Sequence, residues 1–224
     1  MTNLVRLSDS IEFAHNPEPR CPCVLLLDTS SSMQGARIDA LNDGVAFFQQ
    51  ELMGDPIARK RVEVAIITFD SDVRVVQDFA TPDQLNVPVL DALGLTHTGG
   101  GIQKALDMVK ERKTLYQDHD IAYYRPWIFM ITDGAPQGEP SGIVEQAARR
   151  VAEEEAAKRV AFFTVGVEGA DMEALSRLCT RSPLMLKGLR FQELFGWLSN
   201  SMQKVSQSRM DEQIALPPPG WASL

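Results

Sequence analysis

The sequence is poor in the features that define several large classes of protein. Only three cysteines, Cys21, Cys23 and Cys179, occur in 224 residues, which is too few and too odd a number for a disulfide framework. No apolar run approaches the ~18 residues of a membrane-spanning helix, and the opening MTNLVRLSDSIEF lacks the apolar core of a signal peptide. These absences predict a cytoplasmic protein without a membrane segment.

Positive charge is also scarce. The chain has 22 Lys and Arg against 30 Asp and Glu, a net charge of −8, and the basic residues are scattered. Nucleic-acid-binding proteins concentrate basic residues in a patch or stripe, so nucleic acid is not expected as a partner. An acidic surface suits a cation or a basic partner better. The motif Cys21-Pro22-Cys23 is either half of a metal site or a pair of free thiols, and the free thiols are favoured because no second Cys/His pair follows.

Four continuous apolar runs organise the chain, and helical periods separate them. Such runs are typical of central strands that are covered on both faces. The helical segments 36–53 and 102–116 each place apolar residues on one face. In the second segment, Leu115 is the last residue of the predicted apolar face. The predicted strands are Cys23–Asp28, Val62–Asp70, Trp127–Asp133 and Val160–Val167. Alternation of strands and helices predicts an α/β fold, a doubly wound and mostly parallel central sheet with helices on both faces.

One segment departs from the parallel pattern. VRVVQDF, residues 73–79, follows the preceding strand after only Asp70, Ser71 and Asp72, so a β-hairpin and one antiparallel edge strand are predicted. A last helix is expected from Phe191 to about Ser206, followed by a tail with three consecutive prolines. We assign residues 1–20 to an N-terminal extension, 21–208 to one domain and 209–224 to a Pro-rich C-terminal tail. The tail either docks on its own domain or is recognised by a partner, and docking of Trp221 on the domain is favoured because a large apolar side chain is otherwise left in water.

Oxygen-bearing side chains gather at the predicted strand ends. Asp28 and Asp133 each end a strand, Ser30 and Ser32 follow Asp28 at steps of two, and Thr96 precedes a glycine-rich helix entry. Ligands of open α/β sheets bind at the carboxyl ends of the strands. Two carboxylates and several hydroxyls match a hard cation, Mg²⁺ by preference, with Mn²⁺ or Ca²⁺ as substitutes. Taken singly, each motif has a structural interpretation as a helix cap or a turn.

The motifs together resemble the von Willebrand factor A domain family. DTSSS fits its D-x-S-x-S pattern, Thr96 in LTHTGGG falls at its metal-binding threonine, and Asp133 in MITDG matches its strand-end aspartate. The resemblance implies a Rossmann-like fold and a metal-ion-dependent adhesion site (MIDAS). The stretches NPEPRCPCVLLLD and YYRPWIFMITDGAP are similar to the small bacterial TerY/YegL type, which is associated with tellurium-resistance gene clusters. Ser31 departs from the glycine that is usual in the family.

The resemblance also implies roles and partners. Ser30, Ser32 and Thr96 would coordinate the cation through their hydroxyls, while Asp28 and Asp133 would act mainly through waters or hydrogen bonds. An open coordination position would accept a Glu or Asp from a partner protein. For the TerY type, a Ser/Thr kinase or a PP2C-like phosphatase is the expected partner, and a stress response the expected setting.

Two other functions remain open at the level of sequence. A Mg²⁺-dependent phosphotransfer or phosphatase-like enzyme needs a second acid two residues after Asp28, where Ser30 stands. THTGGG lacks the Lys-Ser/Thr of a phosphate-binding loop, so its glycines are expected to bring the backbone close to the metal. His97 is expected to face solvent. The second alternative is a scaffold whose ion only ties loops together.

Overall fold

Seven strands form one sheet in the spatial order β3-β2-β1-β4-β5-β6-β7. The computed structural model describes residues 13–209, 212 and 214–223. The strands are β1 (Cys21–Asp28), β2 (Val62–Phe69), β3 (Val73–Ala80), β4 (Trp127–Thr132), β5 (Ala161–Gly166), β6 (Leu184–Leu186) and β7 (Ala222–Ser223). Every residue of β1, β2 and β4 is buried. The continuous apolar runs are therefore central strands, as predicted.

The sheet is parallel from β2 to β6 and antiparallel at both edges. Strand β3 returns antiparallel along β2, which confirms the predicted edge strand. The opposite edge has a further antiparallel strand that the sequence did not predict. There, Ala222 pairs with Leu186 and Ser223 pairs with Met185, so two residues of the C-terminal tail extend the sheet. The predicted α/β class is confirmed.

Helices cover both faces of the sheet. They are α1 (Ala36–Gly54), α2 (Ala58–Arg61), α3 (Thr98–Asp118), α4 (Ser141–Ala156), α5 (Met172–Ser176) and α6 (Phe191–Gln207). Helices α1 and α6 share one core with the sheet, and α3 and α4 share the other. A Cβ on Gly44 would lie 2.6 Å from Phe195 Cδ2, so glycine allows α1 and α6 to approach closely. None of the helices that the described residues form is both long and apolar enough to cross a membrane.

Helix α3 differs most from its prediction. It begins at Thr98 rather than at Ile102, so the three glycines are part of the helix. At its other end, Tyr116 is buried while Leu115 is only half-buried, which shifts the apolar face by one residue. The early start arises from a contact with a distant segment, because Glu139 in the loop after β4 caps the glycine amides. At the other end, the buried Tyr116 hydroxyl donates to Glu63 of β2.

The C-terminal tail packs on the core that contains α6. Trp221 is 2% exposed, and its ring stands edge-on to that of Trp197 with the ring centres 5.8 Å apart. The Trp197 indole N–H donates to the Pro217 carbonyl at 2.8 Å. The expected docking of Trp221 is thus confirmed. The domain boundaries stay a prediction, and residues 1–12 of the N-terminal extension lie outside the described residues.

Cys21 and Cys23 are free thiols in the interior of β1. Burial raises the pKa of Cys23 to about 12, so the thiolate that metal binding requires is strongly disfavoured. This agrees with the interpretation of the Cys-Pro-Cys motif as free thiols.

The order of the strands places the predicted oxygen ligands together. The chain runs from β1 outward to β2 and β3, then crosses back to β4 on the other side of β1. Between these two directions lies the topological switch point, where open α/β sheets bind ligands. Leu27 is in register with Ile131, so Asp28 and Asp133 leave adjacent strands at the same edge.

Candidate metal centre

Asp28, the last residue of β1, is the most deeply buried acid of this edge. Its carboxylate accepts a hydrogen bond from the Ser30 backbone N–H at 2.8 Å and another from the Thr132 hydroxyl. Burial raises the pKa of Asp28 from 3.8 to about 6, although hydrogen bonds from Ser30 and Thr132 lower it, and the nearby Asp133 raises it further. Because burial disfavours the ionised form of Asp28, a cation beside this carboxylate would stabilise that form.

A series of oxygen atoms connects the first loop to the end of β4. Ser30 Oγ and Ser32 Oγ lie 3.0 Å apart, and the Ser32 hydroxyl donates to Asp133 Oδ1 at 2.6 Å. Ser30 is extended, whereas residues Ser31–Met33 form a 3-10 turn. The two hydroxyls therefore meet at the start of a 3-10 turn. The structure brings both serines and both aspartates together.

Thr96 approaches the same point from the loop before α3. Its backbone N–H donates to the Gln137 carbonyl at 3.2 Å and its carbonyl accepts from the Gln137 N–H at 2.9 Å. This pair of bonds joins the Thr96 loop to the loop that follows β4. The Thr96 hydroxyl oxygen lies 3.8 Å from the position that a Cβ on Gly134 would take, directly after Asp133. The five predicted ligands therefore lie at the end of β1 and in the three adjoining loops.

Arg37 is a cation at this edge that the sequence analysis did not single out. It belongs to the first turn of α1. Its Nη1 donates to Asp133 Oδ2 at 2.7 Å and to the Ser32 carbonyl at 2.8 Å, and its Nη2 donates to the Glu168 carbonyl at 3.0 Å. Both carboxylate oxygens of Asp133 are therefore occupied, one by the Ser32 hydroxyl and one by Arg37.

Glu139 holds the beginning of α3. Its carboxylate accepts from the backbone N–H groups of Gly99 at 2.6 Å and Gly100 at 3.0 Å. A carboxylate at a helix N-terminus is stabilised by the unpaired amides and by the helix dipole. A Cβ on Gly99 would lie 2.9 Å from the backbone of Val144, so this glycine permits α3 to pack against α4. This contact is with α4, and the expectation that the glycines bring the backbone close to a metal stays a prediction.

His97 is only partly exposed, contrary to the expectation that it faces solvent. Its Nε2 is buried, has no hydrogen-bond partner within the described part of the chain and lies 3.2 Å from where a Cβ on Gly138 would be. Packing of the Thr96 loop against the loop after β4 covers the ring.

The fold and the three loops agree with one protein family. The family model of the von Willebrand factor type A domain matches residues 23–192. The chain belongs to this family. Domains of the family are mostly non-enzymatic adhesion or interaction modules.

Solved structures show the same architecture as this von Willebrand factor A domain. The von Willebrand factor type A protein from Catenulispora acidiphila has a TM-score of 0.64 and 15% identity, over 83% of this chain and 43% of that one. For the pilus adhesin SpaC from Lactobacillus rhamnosus GG, the values are 0.67 and 12%, over 83% and 31%. For the vWF domain of the type V pili tip protein Mfa5 from Porphyromonas gingivalis, they are 0.63 and 13%, over 88% and 99%.

At these identities the likeness shows the fold alone. The chain spans less than half of the Catenulispora acidiphila and SpaC chains, at 43% and 31% of their lengths. No curated protein sequence matches this chain significantly.

The donor atoms of this von Willebrand factor A domain fit a hard cation. Within the described residues, no group of three or more His, Cys, Asp or Glu side chains is placed to hold a metal. The centre has only two carboxylates, and its remaining donors are hydroxyl oxygens. Oxygen donors of this kind suit Mg²⁺, Mn²⁺ or Ca²⁺ and do not suit softer metals. The residues present thus fit a metal-ion-dependent adhesion site.

Three further residues of the centre have weak sequence signals. Thr132 is a polar residue at the end of the apolar run WIFMIT, next to Asp133. Arg37 occupies the first turn of a helix, where the helix dipole disfavours a cation. Glu139 gave no local signal, because the amides that it caps are 39 and 40 residues away in sequence.

Proposed function

We propose that this von Willebrand factor A domain is a metal-ion-dependent protein–protein interaction module. It binds one divalent cation, Mg²⁺ by preference and Mn²⁺ or Ca²⁺ as substitutes, at the centre formed by Asp28, Ser30, Ser32, Thr96 and Asp133. The contacts that link Ser30, Ser32 and Asp133 beside the buried Asp28 carboxylate are the observation that supports this most directly. The cation supplies an open coordination position, which a Glu or Asp of a partner protein fills.

The contacts of the side chains support separate roles for hydroxyls and carboxylates. Ser30, Ser32 and Thr96 are proposed to bind the cation through their hydroxyl oxygens. Asp28 is engaged by the Ser30 amide and the Thr132 hydroxyl, and Asp133 by Ser32 and Arg37. These carboxylates are therefore suited to orient the hydroxyls and to contribute charge from one step away. A cation bound mainly by neutral oxygens keeps an attraction for an external carboxylate.

The surface beside the centre supports a protein as the partner. Three apolar side chains of the segment that leads to Thr96 are exposed, Val89 by 85%, Leu93 by 71% and Leu95 by 42%. The Leu93 N–H donates to the Thr29 carbonyl at 2.7 Å, so this segment is attached to the first metal loop. Exposed apolar side chains beside a ligand site are a common feature of protein-binding surfaces.

A binding module is proposed here rather than an enzyme. A phosphotransfer enzyme of the type considered above needs an acid at the position of Ser30, and the Ser30 hydroxyl lies at hydrogen-bond distance from Ser32 Oγ. No side chain of the described centre is placed as a free general acid. The TerY-like resemblance leads us to propose a cytoplasmic setting and a tellurite-resistance-like stress system, with a Ser/Thr kinase or a PP2C-like phosphatase as partner, and neither nucleic acid nor membrane as a target.

Calorimetry tests the metal site directly. Wild-type protein is titrated with Mg²⁺, Mn²⁺ and Ca²⁺, alongside Asp28→Ala, Asp133→Ala and the control Asp107→Ala, which removes an exposed acid of α3 that pairs with Arg150. We expect one bound cation in wild type and control, and none in the two site variants, with unchanged circular dichroism. Equal metal affinity in all four proteins would refute the assignment.

Partner capture tests the second half of the proposal. The tagged protein is used to capture a candidate kinase or phosphatase with Mg²⁺ and with EDTA. Capture should require the cation and should be lost in Asp133→Ala. Capture that is equally strong in EDTA would contradict metal-dependent binding.

A further inference from the structure

Arg37 is placed where helix stability alone would not favour it. It lies in the first turn of α1, at the end where the helix dipole is positive and a cation is unfavourable. Asp39, in the same turn, is the type of residue that this end prefers. The position of Arg37 is therefore explained by its three hydrogen bonds, and the strongest of these is the ion pair with Asp133.

The pair with Asp133 joins a partly exposed cation to a buried acid. The Arg37 side chain is 34% exposed, whereas that of Asp133 is 1% exposed. The bonds from Arg37 to the Ser32 and Glu168 carbonyls hold the guanidinium against the carboxylate. With Asp133 Oδ1 held by the Ser32 hydroxyl and Oδ2 held by Arg37, the charge of this aspartate is largely compensated within the protein.

We propose that Arg37 is a positioning residue that keeps the Asp133 carboxylate from binding the cation directly, so that the loaded site retains its attraction for an external carboxylate. This inference rests on the metal-dependent binding proposed above. Arg37 weakens the binding of the bare cation, because it repels the cation and occupies an oxygen of Asp133. It strengthens the binding of the partner, because the cation remains less neutralised and a second positive charge faces the incoming acid.

Removal of the guanidinium should therefore change the two affinities in opposite directions. In Arg37→Gln, Asp133 keeps its bond from Ser32 and its buried position at the end of β4, so its orientation is retained. The released Oδ2 becomes available to the cation. A residue that only braces the loops would behave differently, since its loss would weaken both binding steps.

Calorimetry of four proteins separates these outcomes. Wild type, Arg37→Gln, Arg37→Lys and the control Arg150→Gln are titrated first with Mn²⁺ alone and then, loaded with Mn²⁺, with glutarate as a simple carboxylate. Arg150 matches Arg37 in side-chain exposure, 30% against 34%, and in the length of its ion pair, 2.7 Å, but its partner Asp107 is exposed and lies outside the centre. We expect Arg37→Gln to bind Mn²⁺ about tenfold more tightly, or about 1.4 kcal/mol, and glutarate several-fold more weakly. Arg150→Gln should match wild type in both.

Arg37→Lys retains the charge without the forked geometry, and it keeps the test decisive if Arg37→Gln does not fold. Its affinity for Mn²⁺ should stay within about twofold of wild type, because the repulsion persists. A large loss of Mn²⁺ affinity in Arg37→Lys, or an unchanged or lower affinity in folded Arg37→Gln, would overturn the inference while leaving the metal site intact. Absence of Mn²⁺ binding in wild type would instead refute the proposed function itself.

Discussion

Replacement of Asp28 by asparagine should stabilise the metal-free protein. In Asp28→Asn, the carbonyl of the new side chain can accept the bond from the Ser30 N–H. Its amide can donate to the Thr132 hydroxyl, which can in turn donate to the Gly134 carbonyl 3.3 Å away. The hydrogen bonds of the site are thus retained, while the buried charge is removed. The substitution isolates the cost of keeping an ionised carboxylate at the end of β1.

The size of the effect follows from the pKa of Asp28. Burial raises this pKa from 3.8 to about 6, and each unit corresponds to about 1.36 kcal/mol. Because the folded state has the higher pKa, the favourable contribution of the protonated acid is complete below the unfolded pKa and is lost as the pH rises through about 6. The advantage of Asp28→Asn should therefore grow from about 2 kcal/mol near pH 5 to about 3 kcal/mol near pH 7.5.

Urea unfolding in EDTA, followed by tryptophan fluorescence at both pH values, measures this difference. Asp107→Asn serves as the control, because Asp107 is exposed on α3 and its replacement should change the free energy of unfolding little at either pH. In Mg²⁺ the stability advantage of Asp28→Asn over wild type should become smaller, since wild type gains stability from the cation and Asp28→Asn does not. A variant less stable than wild type at both pH values in EDTA would refute the reasoning.

Two further predictions concern the segments around the centre. Glu139→Gln removes the charge that caps the Gly99 and Gly100 amides, so it should cost about 1 kcal/mol of stability in urea unfolding. It should also weaken Mg²⁺ binding through the Thr96 loop, and an unchanged metal affinity would show that the cap does not influence the site. Trp221→Ala should lower the free energy of unfolding by about 3 kcal/mol or more with Mg²⁺ affinity unchanged, and Trp221→Phe should cost much less, because the buried indole N–H has no partner among the described residues. Equal losses in the two Trp221 variants would contradict that account.

The central architecture could be predicted from sequence because its signals are local. Strands β1, β2 and β4 are continuous apolar runs, and their full burial is the property that the runs encode. The start of α3 could not be predicted, since glycines disfavour a helix unless a distant acid such as Glu139 caps their amides. Strand β7 has only two residues and depends on pairing with β6, so no hydrophobic periodicity in the sequence could predict it.

The candidate centre shows the same division. Asp28, Ser30, Ser32, Thr96 and Asp133 could be placed together because each stands beside a strand end or helix start, and the topology brings those ends to one edge. Arg37 could not be assigned, because its partner Asp133 is 96 residues away and a surface arginine on a helix has no distinctive pattern. Sequence identified the residue types that a cation needs and missed the arginine that pairs with Asp133.

The contacts among the loops bear on whether a cation would serve as a structural tie or as a binding point. The Ser31 N–H donates to the Gly94 carbonyl at 3.1 Å, and Thr96 exchanges two backbone bonds with Gln137. All three loops are therefore connected by direct hydrogen bonds in which a cation takes no part. A scaffold ion is most useful where such contacts are few. Within the described residues, the buried Asp28 carboxylate accepts hydrogen bonds but forms no ion pair with a side chain. A cation held beside it by neutral hydroxyl oxygens would compensate this charge and would still attract a further acid. This favours an exchangeable binding point over a structural tie.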